Sequence, residues 1–185
     1  MATITRIDAD AVLDKMWEPL KRGSKIYGVL DAARDPTIFE TISPVDSTLS
    51  GSLFAGTLLE QLSTAAPYLV QLNRRTKFPR ELIEAGWGNS WGIFLESFDT
   101  LEELQTHLRD LLLVKDETGR SLHFRFYDPR VLRTYLPTCN AAELATFFGP
   151  VARFYTEGAA PNQLMHYALE GETLKAETIE IQPIA

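Results

Sequence analysis

Gly86-Trp87-Gly88-Asn89-Ser90-Trp91-Gly92-Ile93-Phe94-Leu95, and the run Asp99-Thr100-Leu101-Glu102-Glu103-Leu104 that closely follows it, decide the fold class of this chain. Residues 91–95 form a short continuous apolar run, the mark of a buried strand. Leu101, Leu104, Leu108 and Leu111 then recur at helical spacing. Asp99 or Thr100 caps that helix, and Thr100 with Glu103 has the spacing of a capping box, in which each side chain satisfies the other residue's free backbone amide. A buried strand passing into an amphipathic helix is the repeating unit of a layered α/β chain.

The same grammar extends in both directions. Upstream, Asp8 or Asp10 caps a helix to about residue 21, with Val12, Leu13, Met16, Trp17 and Leu20 on one face. Residues 26–30 read as a buried strand ending at Asp31, and Pro36 opens a short helix to about Ile42. Residues 53–64 read as a short strand or turn and then a helical turn. Pro67 introduces a strand over 68–72, and Pro79 opens a helix that Gly86 stops. Downstream, residues 112–115 and 122–127 flank Asp116-Glu117-Thr118-Gly119-Arg120, which has hairpin-turn chemistry. Pro129 and Asn140 start two more helices, and three alternating segments, 151–156, 165–169 and 174–181, close the chain. The expectation is an α/β (α+β) fold, a single compact domain over residues 1–185. Its mixed-direction sheet would hold about five to seven strands with flanking helices.

The 185 residues carry 18 Lys+Arg against 25 Asp+Glu, a formal net charge of -7 that argues against a nucleic-acid or anionic-membrane partner. The one cysteine, Cys139, can form neither an internal disulfide nor a thiolate metal cluster, and reads as a small buried hydrophobe. The amino-terminal stretch has acids among its apolar residues and lacks the pattern of a signal peptide. No apolar run approaches the roughly 20 residues that cross a bilayer. These features suggest a cytoplasmic protein without membrane insertion. After Gly158 the chain becomes acidic, and the five Glu and one Lys from Glu157 onward read as a solvated face.

Gly88-Asn89-Ser90-Trp91-Gly92 is a literal G-x-S-x-G, so a serine hydrolase using Ser90 is a function to weigh. That motif needs a strand entering the serine and a helix leaving it; here a helix ends before it and a strand follows. Gly86, Gly88 and Gly92 are better explained as a helix end and a tight strand entry. No helix follows to present its amino terminus to a pyrophosphate, so the stretch also fails as a dinucleotide site. His107, His123 and His166 show no zinc-ligand spacing. Neither a metal nor a cofactor is implied.

Phe124-Arg125-Phe126-Tyr127-Asp128-Pro129-Arg130 stands apart. As a strand, it places Phe124 and Phe126 on one side and Arg125 and Tyr127 on the other. Asp128 takes the N-cap position and Pro129 the first helical position, with Arg125 and Arg130 straddling the aspartate. This reads either as a junction locked by an Asp–Arg network or as an Arg/aromatic recognition patch. Asp31-Ala32-Ala33-Arg34-Asp35-Pro36 repeats the pattern, so the two strand ends are expected to share one edge of the sheet.

Taken in order, GVLDAARDP from Gly28, APYLVQL from Ala66, GWGNSWGIFL from Gly86, HLRDLL from His107, FRFYDPRVLRTYLPT from Phe124 and FFGPV from Phe147 resemble the domain-of-unknown-function 4123 family. The blocks cover about residues 26–151, leaving 152–185 as a short β-rich extension where many relatives carry a longer lobe. The resemblance implies a non-catalytic adaptor or chaperone of the type VI secretion system. Such a protein would bind a cognate toxic effector and promote its loading onto the VgrG spike. A structural component of the secretion apparatus is the other reading. The family motif falls on Asp31, Arg34, Trp87, Trp91, Arg125, Tyr127 and Arg130, which are the candidate partner-binding residues. It also falls on Gly86, Gly88, Gly92, Asp128 and Pro129, the candidate structural ones.

Overall fold

The computed structural model describes residues 7–115 and 118–182. In chain order the elements are α1 (Ala9–Trp17), β1 (Lys25–Asp31), α2 (Pro36–Ile42), β2 (Ser50–Ser52), α3 (Gly56–Leu62), β3 (Pro67–Leu72), α4 (Phe78–Gly86) and β4 (Gly92–Ser97). They continue with α5 (Leu101–Asp110), β5 (Leu113–Lys115), β6 (Ser121–His123), α6 (Pro129–Tyr135), α7 (Ala141–Phe148), β7 (Val151–Glu157), β8 (Gln163–Glu170) and β9 (Thr173–Glu180). Asp116 and Glu117 of the expected hairpin turn, and residues 1–6, lie outside the described residues.

Seven strands form one sheet in the order β2-β3-β1-β4-β7-β8-β9, and β5 pairs with β6 apart from it. The α/β class and the flanking helices are as the sequence suggests. The mixed direction is not: every pairing is antiparallel. β3 and β4, joined through α4, do run in the same direction, as a strand–helix–strand unit should. They are not neighbours, because β1 lies between them and pairs antiparallel with both.

β1 explains the layering. Side chains alternate across a strand, and here both faces are apolar. Tyr27 and Val29 enter one core, with Ile93 and Leu95 of β4 and Phe154 of β7. Ile26 and Leu30 enter the other, with Phe94 and Tyr155. The first core is closed by α5, α6 and α7 through Leu104, Leu108, Leu132, Leu144 and Phe147. The second is closed by α1, α2 and α4 through Val12, Met16, Ile38, Leu82 and Ile83.

Local signals placed the helix ends. Asp8 caps α1, its carboxylate accepting from Ala11 N at 3.1 Å. Thr100 caps α5 with the reciprocal Glu103 bond, and Asn140 caps α7 the same way with Glu143. The expected strand over 122–127 is shorter: β6 ends at His123, and the chain then turns into α6. Phe126 and Tyr127, consecutive residues, are both buried in one core, so the two-residue alternation fails there. Gly86 does not stop α4 from outside; it is the last helical residue, and the left-handed glycine is Gly88 at φ 83°.

Candidate functional site

One end of the sheet gathers most of the singled-out residues. β1 finishes there at Asp31, which lies opposite Pro67 at the start of β3, and β4 begins there at Gly92, opposite Leu30. Asp31 is buried; its amide donates to the Trp91 carbonyl at 2.8 Å, and its carboxylate accepts from Ala33 N at 3.2 Å. Its charge is met by the Arg125 guanidinium, an ion pair across 94 positions of sequence. That hydrogen bond to Asp31 raises the Arg125 pKa and keeps the guanidinium charged. Arg125 therefore does not belong to Asp128, as its sequence position implies, but ties the two Asp–Arg–Pro segments together.

Asp128 caps α6, accepting Arg130 N at 2.9 Å, and holds the Arg130 side chain through Nε at 2.9 Å and Nη2 at 2.5 Å. Burial opposes its ionisation, but the Arg130 hydrogen bonds and charge together outweigh burial and hold the carboxyl below its usual range. Tyr127 is buried, with its hydroxyl 3.0 Å from His123 Nε2. Burial first, then the Asp31 charge, pushes the phenol up to about 12, so it stays protonated.

The loop between α4 and β4 closes the same end. A side chain on Gly92 would place its Cβ 2.1 Å from the Val29 carbonyl oxygen, so only glycine lets β1 and β4 approach here. Gly86 lies against the Trp91 ring, 2.9 Å from where a Cβ would stand, and Trp91 is buried. Trp87 is half-buried and donates its indole N–H to the Pro161 carbonyl at 3.0 Å. Arg34 is exposed, and its Nε donates to the Asn89 carbonyl at 3.2 Å.

Ser90 has a left-handed backbone at φ 55°, uncommon for a side chain other than glycine or asparagine. Glu157, at the end of β7, fixes it: the carboxylate accepts Gly88 N at 2.7 Å and both Ser90 N and Ser90 Oγ at 3.2 Å. Burial pushes the Glu157 carboxyl up, against the opposing pull of those bonds. The strand leaves Ser90 rather than entering it, opposite to a nucleophile elbow. The histidines are engaged elsewhere, His107 with the Phe147 carbonyl, His123 with Tyr127 and His166 with Glu177.

Asp31, Trp91 and Tyr127, expected as contact residues, thus lie beneath the surface and shape it. Arg34, Arg125 and Arg130 are the exposed members, and Trp87 is half-buried. Two residues were not legible. Arg133 donates through Nη1 to the Glu157 carbonyl at 2.7 Å, and Glu157 is not the solvated acid its segment suggests. The only local signal is an acid that ends β7 directly before Gly158. Beside this rim, Phe124 and Tyr135 stack edge to face at 4.7 Å and floor two adjoining depressions of about 410 and 660 Å³.

Among the described residues no helix is long and apolar enough to cross a membrane. No curated protein matches the chain, and neither does any solved structure. A family model does: it covers residues 26–146, from β1 into α7, and so takes in β1, the 86–92 loop and the Asp128 cap while stopping short of Glu157. The chain belongs to the family described as Domain of unknown function (DUF4123).

Proposed function

We propose that this protein is a non-catalytic cytoplasmic adaptor or chaperone that binds a cognate type VI secretion effector and promotes its loading onto the VgrG spike. The observation that carries this reading is the construction of the rim. Two buried aspartates hold two arginines whose guanidinium groups stay half-exposed next to an apolar groove. Arginine and aromatic residues around a dry centre are what protein interfaces enrich. The secretion context is what the resemblance of the sequence blocks to that family implies.

Co-expression with a candidate effector and a spike protein, should its gene neighbourhood encode them, followed by affinity capture and size exclusion, tests it. A stable complex with the effector is the expected result, and the absence of any complex would remove the reading. Retention in purified spike material would instead mark a structural component. The left-handed Ser90 is where hydrolysis would be sought. Labelling by a fluorophosphonate probe, lost in Ser90→Ala, would replace the adaptor with an enzyme.

A further inference from the structure

Phe124 and Tyr135 form the common floor of two depressions that together make a groove between the β5–β6 hairpin, α6 and α7. One wall is the hairpin, whose Leu113 is 66% exposed and whose Val114 is also uncovered. The other is α6, through Val131 and Thr134. An isolated exposed leucine needs no explanation, but here the apolar side chains are contiguous with an aromatic floor.

The charges at its two ends differ in sign. Arg130 lies at one end, where Nε and Nη2 are taken by Asp128 and Nη1 stays outside that pair. Asp128 is buried while Arg130 is not, so the outward potential there is that of N–H donors. Asp110 and Glu143 line the other end. The Glu143 carboxylate accepts Asn140 N at 2.7 Å.

We infer that the groove seats a short amphipathic segment of the client protein. Its apolar side chains lie over Phe124 and Tyr135, a carboxylate meets Arg130, and a lysine or arginine meets Asp110 and Glu143. The inference rests on the adaptor reading and adds to it the place and polarity of client binding. A segment with acids at both ends is repelled by Asp110 and Glu143, so charge complementarity fixes the direction in which the client lies.

The probe is a displayed library of peptides in which apolar spacing and end charges vary. Selection on the full chain should enrich peptides with an acid at one end and a base at the other. The enriched peptide, made synthetically, should lose about tenfold or more in affinity for Leu113→Asp and for Thr134→Glu, equivalent to about 1.4 kcal/mol. Both positions are exposed, so thermal melting should not change. No enrichment, no dependence on end charge, or undiminished binding by both variants would overturn the assignment. So would self-association of the free protein that Leu113→Asp abolishes, because a second copy would then be the occupant. If the co-expressed candidate effector is retained equally by wild type and both variants, the groove assignment fails and the adaptor reading stands. If wild type retains no effector, the adaptor reading fails, and the peptide selection still judges the groove.

Discussion

Both ends of the sheet bury a carboxylate against an arginine, and they do so for opposite results. At the end where β1 begins, Glu96 is fully buried and Arg153 has only 18% of its side chain exposed. Their 2.7 Å pair is closed by further bonds: Ser24 Oγ and Lys21 N donate to Glu96, and Arg153 donates to the Pro19 carbonyl. Both charges of that pair are enclosed. At the other end Asp31 and Asp128 are as deeply placed, but Arg125 and Arg130 are 46% and 53% exposed. The same ion-pair chemistry makes a sealed clasp in one place and a presented guanidinium in the other. What separates them is whether the arginine is covered along with its carboxylate.

The largest test of that contrast is Arg153→Met. It leaves Glu96 as an uncompensated buried carboxylate and should cost about 3–5 kcal/mol in urea unfolding. Arg125→Met removes a partner that water can partly replace, so about 1–2 kcal/mol is expected. Equal losses would erase the distinction between the two ends. Asp128→Ala should cost about 1 kcal/mol, the usual value of a helix cap. If it abolished effector binding with melting unchanged, the aspartate would be an interface residue rather than the support of one.

The smallest effect separates two carboxyls at the same end by pH. The Asp128 carboxyl is lowered from 3.8 when folded, so its contribution is present above that value and lost as pH falls through the folded pKa. The Glu157 carboxyl is raised from 4.5, so its contribution is present below that value and lost as pH rises through the folded pKa. Glu157→Gln should therefore flatten the stability profile above about pH 4.5, whereas Asp128→Asn should flatten it below about pH 4. Matching slopes in the two variants would contradict these environments.

What the sequence made legible was local. The Thr100–Glu103 capping box, the Asn140 helix start and Asp128 with Pro129 are each decided within a few residues, and all three are where the sequence puts them. The strand positions followed from apolar runs, because β1, β3 and β4 are covered on both faces. Direction did not follow, since a helical crossover says which way the next strand runs but not which strand fills the gap. Arg125 was paired with the wrong aspartate because its partner lies 94 positions away, and nothing in the neighbourhood of Phe124 names Asp31. Glu157 was missed for the same reason, its contacts being 67 and 69 positions distant.

The place of β7 has a consequence for synthesis. It pairs with β4 on one side and β8 on the other, yet it begins at Val151, after the family match ends. A nascent chain that has left the ribosome only through Thr146 carries β4 with one edge unpaired, a template for any other extended chain. β4 gains its second neighbour only when residues 151–157 have emerged. A fragment ending before that point is expected to expose the edge of β4 and to aggregate.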